Sequence, residues 1–161
     1  MKVLVTGGCG YIGSATARWL RARGVEVQVI DDLSEGHQAA WDGPLEVLDL
    51  LDREALHGWA KGRSFDGVIH FAARCYVGES VEQPIRYWRA NVVPVIHLAE
   101  ALGTTPFVFS STCATYGDQD NVVLDESSAR HPINAYGSSK RAVEDILRDF
   151  EAAYGLRHVI F

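Results

Sequence analysis

The apolar run "KVLVT" (residues 2–6) passes without a break into "TGGCGYIG", where Gly7, Gly10 and Gly13 recur at every third position. No other stretch restricts the fold as strongly. A strand that ends in a turn of small residues and then opens a helix lets backbone N–H groups approach a pyrophosphate at the helix N-terminus. Gly13 would let that helix sit close to the sheet. The strand before the glycines and the helix after them favour a nucleotide-binding turn over a plain tight turn.

The rest of the chain alternates in the manner such a turn requires. Apolar, β-branched runs at 2–6, 25–30, 45–48, 67–71, 106–110 and 157–161 predict strands, and helical periodicity fills most of the gaps. Alternation of this kind predicts an α/β fold: a doubly wound, Rossmann-like parallel sheet of about six strands with right-handed crossovers. One domain spanning 1–161 is expected from the length. Ile12, Ala15, Trp19 and Leu20 share one helix face and are expected to pack on the sheet, with Gly24 ending that helix. Val143, Ile146, Leu147, Phe150 and Tyr154 form a second such stripe. A third helix-like segment, 85–102, contains Pro94, which removes a donor and opposes the carbonyl of Ala90, so a kink near Ala90–Pro94 is expected. The polar stretch 111–133 predicts a long loop, and long loops in compact domains are often functional.

Ligands of parallel sheets bind beyond the carboxyl ends of the strands, which directs attention to the acids there. Asp31, followed by Asp32, ends the second strand about 20 residues past the glycines, where a carboxylate can accept from a ribose diol and repel a 2′-phosphate. That favours NAD over NADP. A solvated loop acid or helix cap describes Asp32 better than Asp31. Asp49, with Leu50, ends the third strand and either faces an adenine edge or caps the helix starting near Asp52.

The net charge of −6 argues against a nucleic-acid surface. No apolar run reaches the length of a membrane span, and "MKVLVTGG" is broken too soon for a signal peptide. Cys9, Cys75 and Cys113 show no metal-ligand spacing and no disulfide framework, so no metal is expected and a reducing cytoplasm is the natural compartment. All three follow predicted strands and should crowd the carboxyl edge of the sheet, as small residues filling tight loops rather than as a redox pair.

Near the end of the chain "NAYGSSK" sets Tyr136 and Lys140 four residues apart, on one helix face. By itself the pair fits an ordinary surface helix better than a tyrosine whose proton is managed by a neighbouring cation, and it gains meaning only if the chain elsewhere builds something for it to act on.

Taken together, "VLVTGGCGYIGS", "IDDLSEGH", "VIHFAA" with "VGESVEQP", "NV" at 91–92, "VFSSTCATYGD" and "NAYGSSK" run in order from residue 1 to residue 161. In these motifs the chain resembles the extended short-chain dehydrogenase/reductase family, most closely its branch of UDP-sugar 4-epimerases. The resemblance implies NAD as cofactor and a UDP-sugar as substrate, with UDP-glucose and UDP-galactose interconverted by transient oxidation at C4. It implies that Gly7, Gly10, Tyr11, Ile12 and Gly13 meet the cofactor phosphates, that Asp31, Asp32 and Leu33 hold the adenosine ribose, and that Asp49 and Leu50 flank adenine. Phe71, Ala72 and Ala73 would line the dinucleotide path, with Asn91 beside it. Thr112, Tyr136 and Lys140 would form the catalytic group, Lys140 and the nicotinamide charge together making the phenol a base. A homodimer is a further expectation.

Cys75 stands where family members often carry a lysine that helps hold the cofactor, and Ala15 replaces a common histidine. The family's dehydratases follow the threonine with an Asp–Glu pair, whereas Cys113 and Ala114 follow Thr112, which disfavours dehydration. The alternatives are another NAD-dependent nucleotide-sugar epimerase or dehydratase, or a non-catalytic dinucleotide-binding module. The family continues past the position of Phe161 into a region that grips the sugar nucleotide. Residues 1–161 alone are therefore expected to fold marginally, associate through the open edge of the last strand, bind NAD weakly and turn over little substrate.

Overall fold

The computed structural model describes residues 1–119 and 123–161; residues 120–122, part of the expected long loop, lie outside the described residues. Six strands form one fully parallel sheet: β1 (Lys2–Thr6), β2 (Glu26–Asp31), β3 (Leu45–Val47), β4 (Gly67–His70), β5 (Phe107–Phe109) and β6 (His158–Ile160). Their order is β3-β2-β1-β4-β5-β6, the doubly wound arrangement whose switch point lies between β1 and β4. Thr6 is in register with Ile30 on one side and His70 on the other. The loops after β1, β2 and β4 therefore meet at one edge.

Side chains alternate across the strands because of the pleat. Leu4, Ile30, Val68, Phe107 and Phe109 point to one face, where they pack with Leu56 of α2 (Arg53–Ala60), Val95 and Leu98 of α4 (Pro84–Leu102), and Val143 and Leu147 of α5 (Ala135–Tyr154). Val3, Val5, Val27 and Val29 point to the other, against Ala17 of α1 (Tyr11–Arg21) and Trp41. A one-turn helix, α3 (Val77–Glu82), precedes α4. Among the described residues no helix is long and apolar enough to cross a membrane.

The packing expected of α1 and α5 is corrected in part. Of the stripe read on α1, Leu20 packs against the core, but Ile12 is 56% and Trp19 55% exposed, and Gly13, Ser14 and Ala17 are buried instead. The glycine turn draws the start of α1 so close to β1 that only small side chains fit between. Trp19 turns outward, stacked under the Arg23 guanidinium at 3.6 Å. On α5, Val143 and Leu147 are fully buried as expected, but Tyr154 is exposed. α4 buries Tyr87, Asn91, Pro94, Val95 and Leu98, while Ile85 and Trp88 are exposed. Pro94 sits inside a single continuous helix, so the expected disturbance does not divide the element. The last strand is an edge, as expected, with Val159 and Phe161 exposed.

Candidate active site

At the end of β1 the chain turns through Gly7, whose φ of 70° is in the left-handed region. A Cβ there would stand 2.6 Å from the Ala72 nitrogen, so the β1 and β4 loops touch backbone to backbone. Gly10 N–H donates to Gly7 O (3.1 Å), and a Cβ on Gly13 would lie 2.1 Å from that same oxygen. Gly10 caps α1 with no side-chain acceptor. Among the described residues, the N–H groups of Tyr11, Ile12 and Gly13 find no acceptor, and the Tyr11 side chain is 94% exposed. Three free donors at a helix N-terminus form an anion-favouring cradle.

Asp31, nine-tenths buried, is fixed by two backbone donors: Cys9 N–H to Oδ2 (2.8 Å) and Leu33 N–H to Oδ1 (2.9 Å). The second bond holds Leu33 at φ 59°, the one non-glycine residue of the described chain in the left-handed region. That conformation costs about 1–2 kcal/mol. Each Asp31 oxygen keeps a lone pair for a hydroxyl. Asp32 accepts from Ser34 N–H and Oγ, a solvated loop acid and not a helix cap. Asp49 accepts from Leu51 N–H (2.8 Å), and the cap of α2 is Asp52, which accepts from Ala55 N–H (3.0 Å). The capping alternative for Asp49 therefore falls away.

A cavity of about 710 Å³ joins these groups. Its lining includes Gly7, Gly10, Asp31, Asp32, Asp49, Leu50, Phe71, Ala72 and Ala73. The size suits a small-molecule ligand. Asn91 is not part of that wall. It is 1% exposed, accepts from Arg74 N–H (2.8 Å) and donates to Arg74 O (3.1 Å) and Ser139 Oγ (3.0 Å). Its amide is thereby committed to tying the β4 loop to α5, which makes it a positioning residue.

Thr112, Tyr136 and Lys140 also lie outside the cavity wall, beyond the carboxyl end of β5. α5 begins with Asn134, whose side chain accepts from Gly137 N–H (2.8 Å) and so sets Tyr136 in the first turn. Gly137 is required there, since a Cβ would stand 2.4 Å from Ala114 O in the turn that follows Thr112. The Thr112 hydroxyl faces the Tyr136 phenol and favours its ionised form, but burial is the larger influence and raises the pKa above its ordinary value. Thiolates at Cys75 and Cys113 would raise it further, so both thiols lie within electrostatic reach of the phenol.

Lys140 departs from the expectation that it pairs with that phenol. Its ammonium is buried, donates to Ser110 O (2.8 Å) and sits 4.7 Å over the Phe109 ring. Burial pulls its pKa down to about 8. The spacing puts the two residues on one helix face, but the lysine chain reaches inward to β5 while the phenol stays at the surface of the site. Among the described residues no cation lowers the Tyr136 pKa, which burial holds above its ordinary value.

Three groups escaped the sequence reading. His70, fully buried, shares a hydrogen bond with Thr6 Oγ1 (2.7 Å), and burial with the nearby Lys140 charge lowers its pKa to about 3. Ser139 anchors Asn91 and donates to Tyr136 O (2.8 Å). Glu144, buried, accepts from Ser111 Oγ and from Arg130, which braces the segment carrying Thr112. A polar residue inside an apolar helical stripe, as Glu144 is beside Val143 and Leu147, is the signal that could have exposed the last.

A family profile described as "NAD dependent epimerase/dehydratase family" matches residues 3–161. The UDP-glucose 4-epimerase of Corynebacterium glutamicum is 41% identical over 159 residues, 97% of this chain and 48% of the relative. The crystal structure of UDP-glucose 4-epimerase from Brucella ovis in complex with NAD superposes with a TM-score of 0.93 at 45% identity, over 99% of this chain and 50% of that one. The UDP-glucose 4-epimerase of Thermotoga maritima, solved with UDP-glucose, gives a TM-score of 0.94 at 32% identity, over 99% and 54%. The chain thus spans about half the length of the relatives it matches.

Proposed function

We propose that this chain, which belongs to the NAD dependent epimerase/dehydratase family, is the NAD-binding domain of a nucleotide-sugar 4-epimerase that interconverts UDP-glucose and UDP-galactose by transient oxidation at C4. The observation that carries the reading is the line of chemistry along one sheet edge: free N–H donors on α1, a fixed Asp31 carboxylate in the cavity, then Thr112 and Tyr136 past β5.

The residues fit a dinucleotide. The backbone of Tyr11, Ile12 and Gly13 would meet the diphosphate, and the Gly7 turn has no room even for a methyl group. Asp31 would accept from a ribose diol and exclude a 2′-phosphate. Asp49 and Leu50 would flank adenine. Bound NAD would accept and return a hydride and place a positive charge near the phenol.

The chain's own work is the proton. Tyr136 takes it from the sugar 4-hydroxyl and returns it, and Thr112 holds that hydroxyl in line. Lys140 supports the site from beneath by its bond to Ser110 O. A phenol whose pKa is raised in the free chain becomes a base only when a cation arrives beside it, so proton transfer is tied to cofactor binding. Cys113 and Ala114 offer no acid or base for elimination, which favours epimerisation over dehydration.

The dimer and the cytoplasmic setting belong to the same reading. Residues 1–161 by themselves are proposed to bind NAD weakly and to turn over little sugar, because the chain spans about half the length of its relatives and the remote contacts that orient a sugar nucleotide would come from the remainder. The test is a chimera in which residues 1–161 replace the matching half of the Corynebacterium glutamicum relative. Conversion of UDP-galactose to UDP-glucose without added cofactor turnover is the expected result. A chimera that folds and holds NAD yet converts neither sugar would overturn the reaction.

A further inference from the structure

The cavity is crossed by a bridge of side chains with no place in the chemistry above. Glu35, in the loop after β2, accepts from Arg74 Nη1 (3.2 Å) and from Tyr76 Oη (3.4 Å), both in the loop after β4. β2 and β4 flank β1, so the bridge passes over the carboxyl end of β1, where the glycine turn begins. The span is about 10 Å, two strand spacings. Glu35 and Arg74 line the same cavity as Gly7 and Gly10.

This bridge is anchored on its β4 side. Arg74 is only 19% exposed, and Glu79 lies 4.0 Å behind its guanidinium. Glu79 accepts from Arg86 and from the buried Tyr87 hydroxyl (2.7 Å), and that hydroxyl accepts from Tyr76 N–H (3.1 Å). The Arg74 backbone is held in turn by Asn91. The β2 side is held less firmly: Glu35 is half exposed, and its loop is set by the Asp31 and Asp32 turns and by His37 N–H donating to Cys9 O (3.0 Å). A fixed arginine and a movable acid make a clasp.

We propose that Glu35, Arg74 and Tyr76 close over the diphosphate of a bound dinucleotide, so that Arg74 is a further cofactor-binding residue and the clasp sets how long the cofactor stays. A guanidinium has five donors. Arg74 uses part of its fork on Glu35 and Glu79 and keeps the remainder for a phosphate oxygen, in a site where the α1 backbone supplies donors but no full charge. Glu35 cannot meet the diphosphate itself. It holds Arg74 and Tyr76 across the opening, and entry or exit of the ligand requires that contact to break.

The inference rests on the dinucleotide reading of the cavity, and the test separates the two. NADH, ADP-ribose and adenosine are bound to the chimera described above, and dissociation of NADH is followed by its fluorescence in stopped flow. Arg74→Met should speed NADH release by about tenfold and weaken ADP-ribose to match, with adenosine affinity changed by less than about twofold. Glu35→Gln should speed release by about threefold, and the double variant should be no faster than Arg74→Met, because the two act as one element. Unchanged release in Arg74→Met, or an equal loss of adenosine, overturns the clasp and leaves the dinucleotide reading standing. A chimera with the unchanged residues 1–161 that folds but binds neither NADH nor ADP-ribose removes both.

Discussion

The two ends of the site are built from different material. At the β1–β2 end the working parts are backbone: free N–H groups, glycines with no space for a Cβ, and one carboxylate pinned by two amides. At the β5–α5 end they are side chains, whose properties come from burial and from the neighbours Ser110, Thr112 and Phe109. Backbone geometry follows from residue type and spacing along a short segment. Side-chain protonation follows from which distant segments fold over the group. The first end should therefore fail through sterics and the second through electrostatics.

The largest effect should come from the backbone end. Gly13→Ala places a methyl group 2.1 Å from Gly7 O, and the turn must open to admit it. A loss of about 3 kcal/mol in urea unfolding is expected, together with loss of NAD binding. Gly58→Ala is the control, for nothing lies near its Cβ, and a small gain of about 0.5–1 kcal/mol is expected in α2. If both variants behaved alike, the steric account of this end would collapse.

The counterpart at the catalytic end is Tyr136→Phe in the chimera. Turnover of UDP-galactose should fall by about 10²–10⁴-fold while NAD stays bound, since only the proton carrier is removed. Equal loss of NAD would instead make Tyr136 part of the binding end and blur the division.

Asp31→Ala tests the one charged group in the backbone end. The preference for NAD over NADP in binding titrations should narrow by about tenfold, because the repulsion of a 2′-phosphate is removed. An unchanged ratio would mean that the selectivity lies elsewhere in the cavity.

The smallest effect is electrostatic and belongs to the catalytic end. The Lys140 pKa of about 8 lies below its ordinary value, so between about pH 8 and 10 the unfolded chain binds more protons than the folded one. Stability should therefore rise with pH across that window, and the rise should be flattened in Lys140→Met, as read by urea midpoints. The lowered pKa of His70, about 3, works in acid. Its contribution is complete above about pH 6.5 and is lost as pH falls toward 3. The ring should remain neutral at pH 5 by NMR, and a protonated His70 at that pH would contradict its burial.

The amino-acid sequence by itself determined the six strands, the glycine turn and the position of Asp31, because each depends on local periodicity or on residue type at a turn, and strand–helix alternation made the sheet parallel; the order of the strands was decided by tertiary pairing. The sequence also placed Tyr136 and Lys140 on one helix face. Tertiary structure alone decided what those two do. Lys140 bends inward to Ser110 O, and among the described residues no cation lowers the Tyr136 pKa. The outward turn of Trp19 was decided the same way, by how closely the glycine turn draws α1 onto β1. So were the roles of Asn91 and Glu144, which rest on partners 17, 48, 33 and 14 residues away in the chain. A spacing rule shows which residues share a face. Burial, charge and hydrogen bonding depend on what is packed against that face, and those partners are brought there only by the fold.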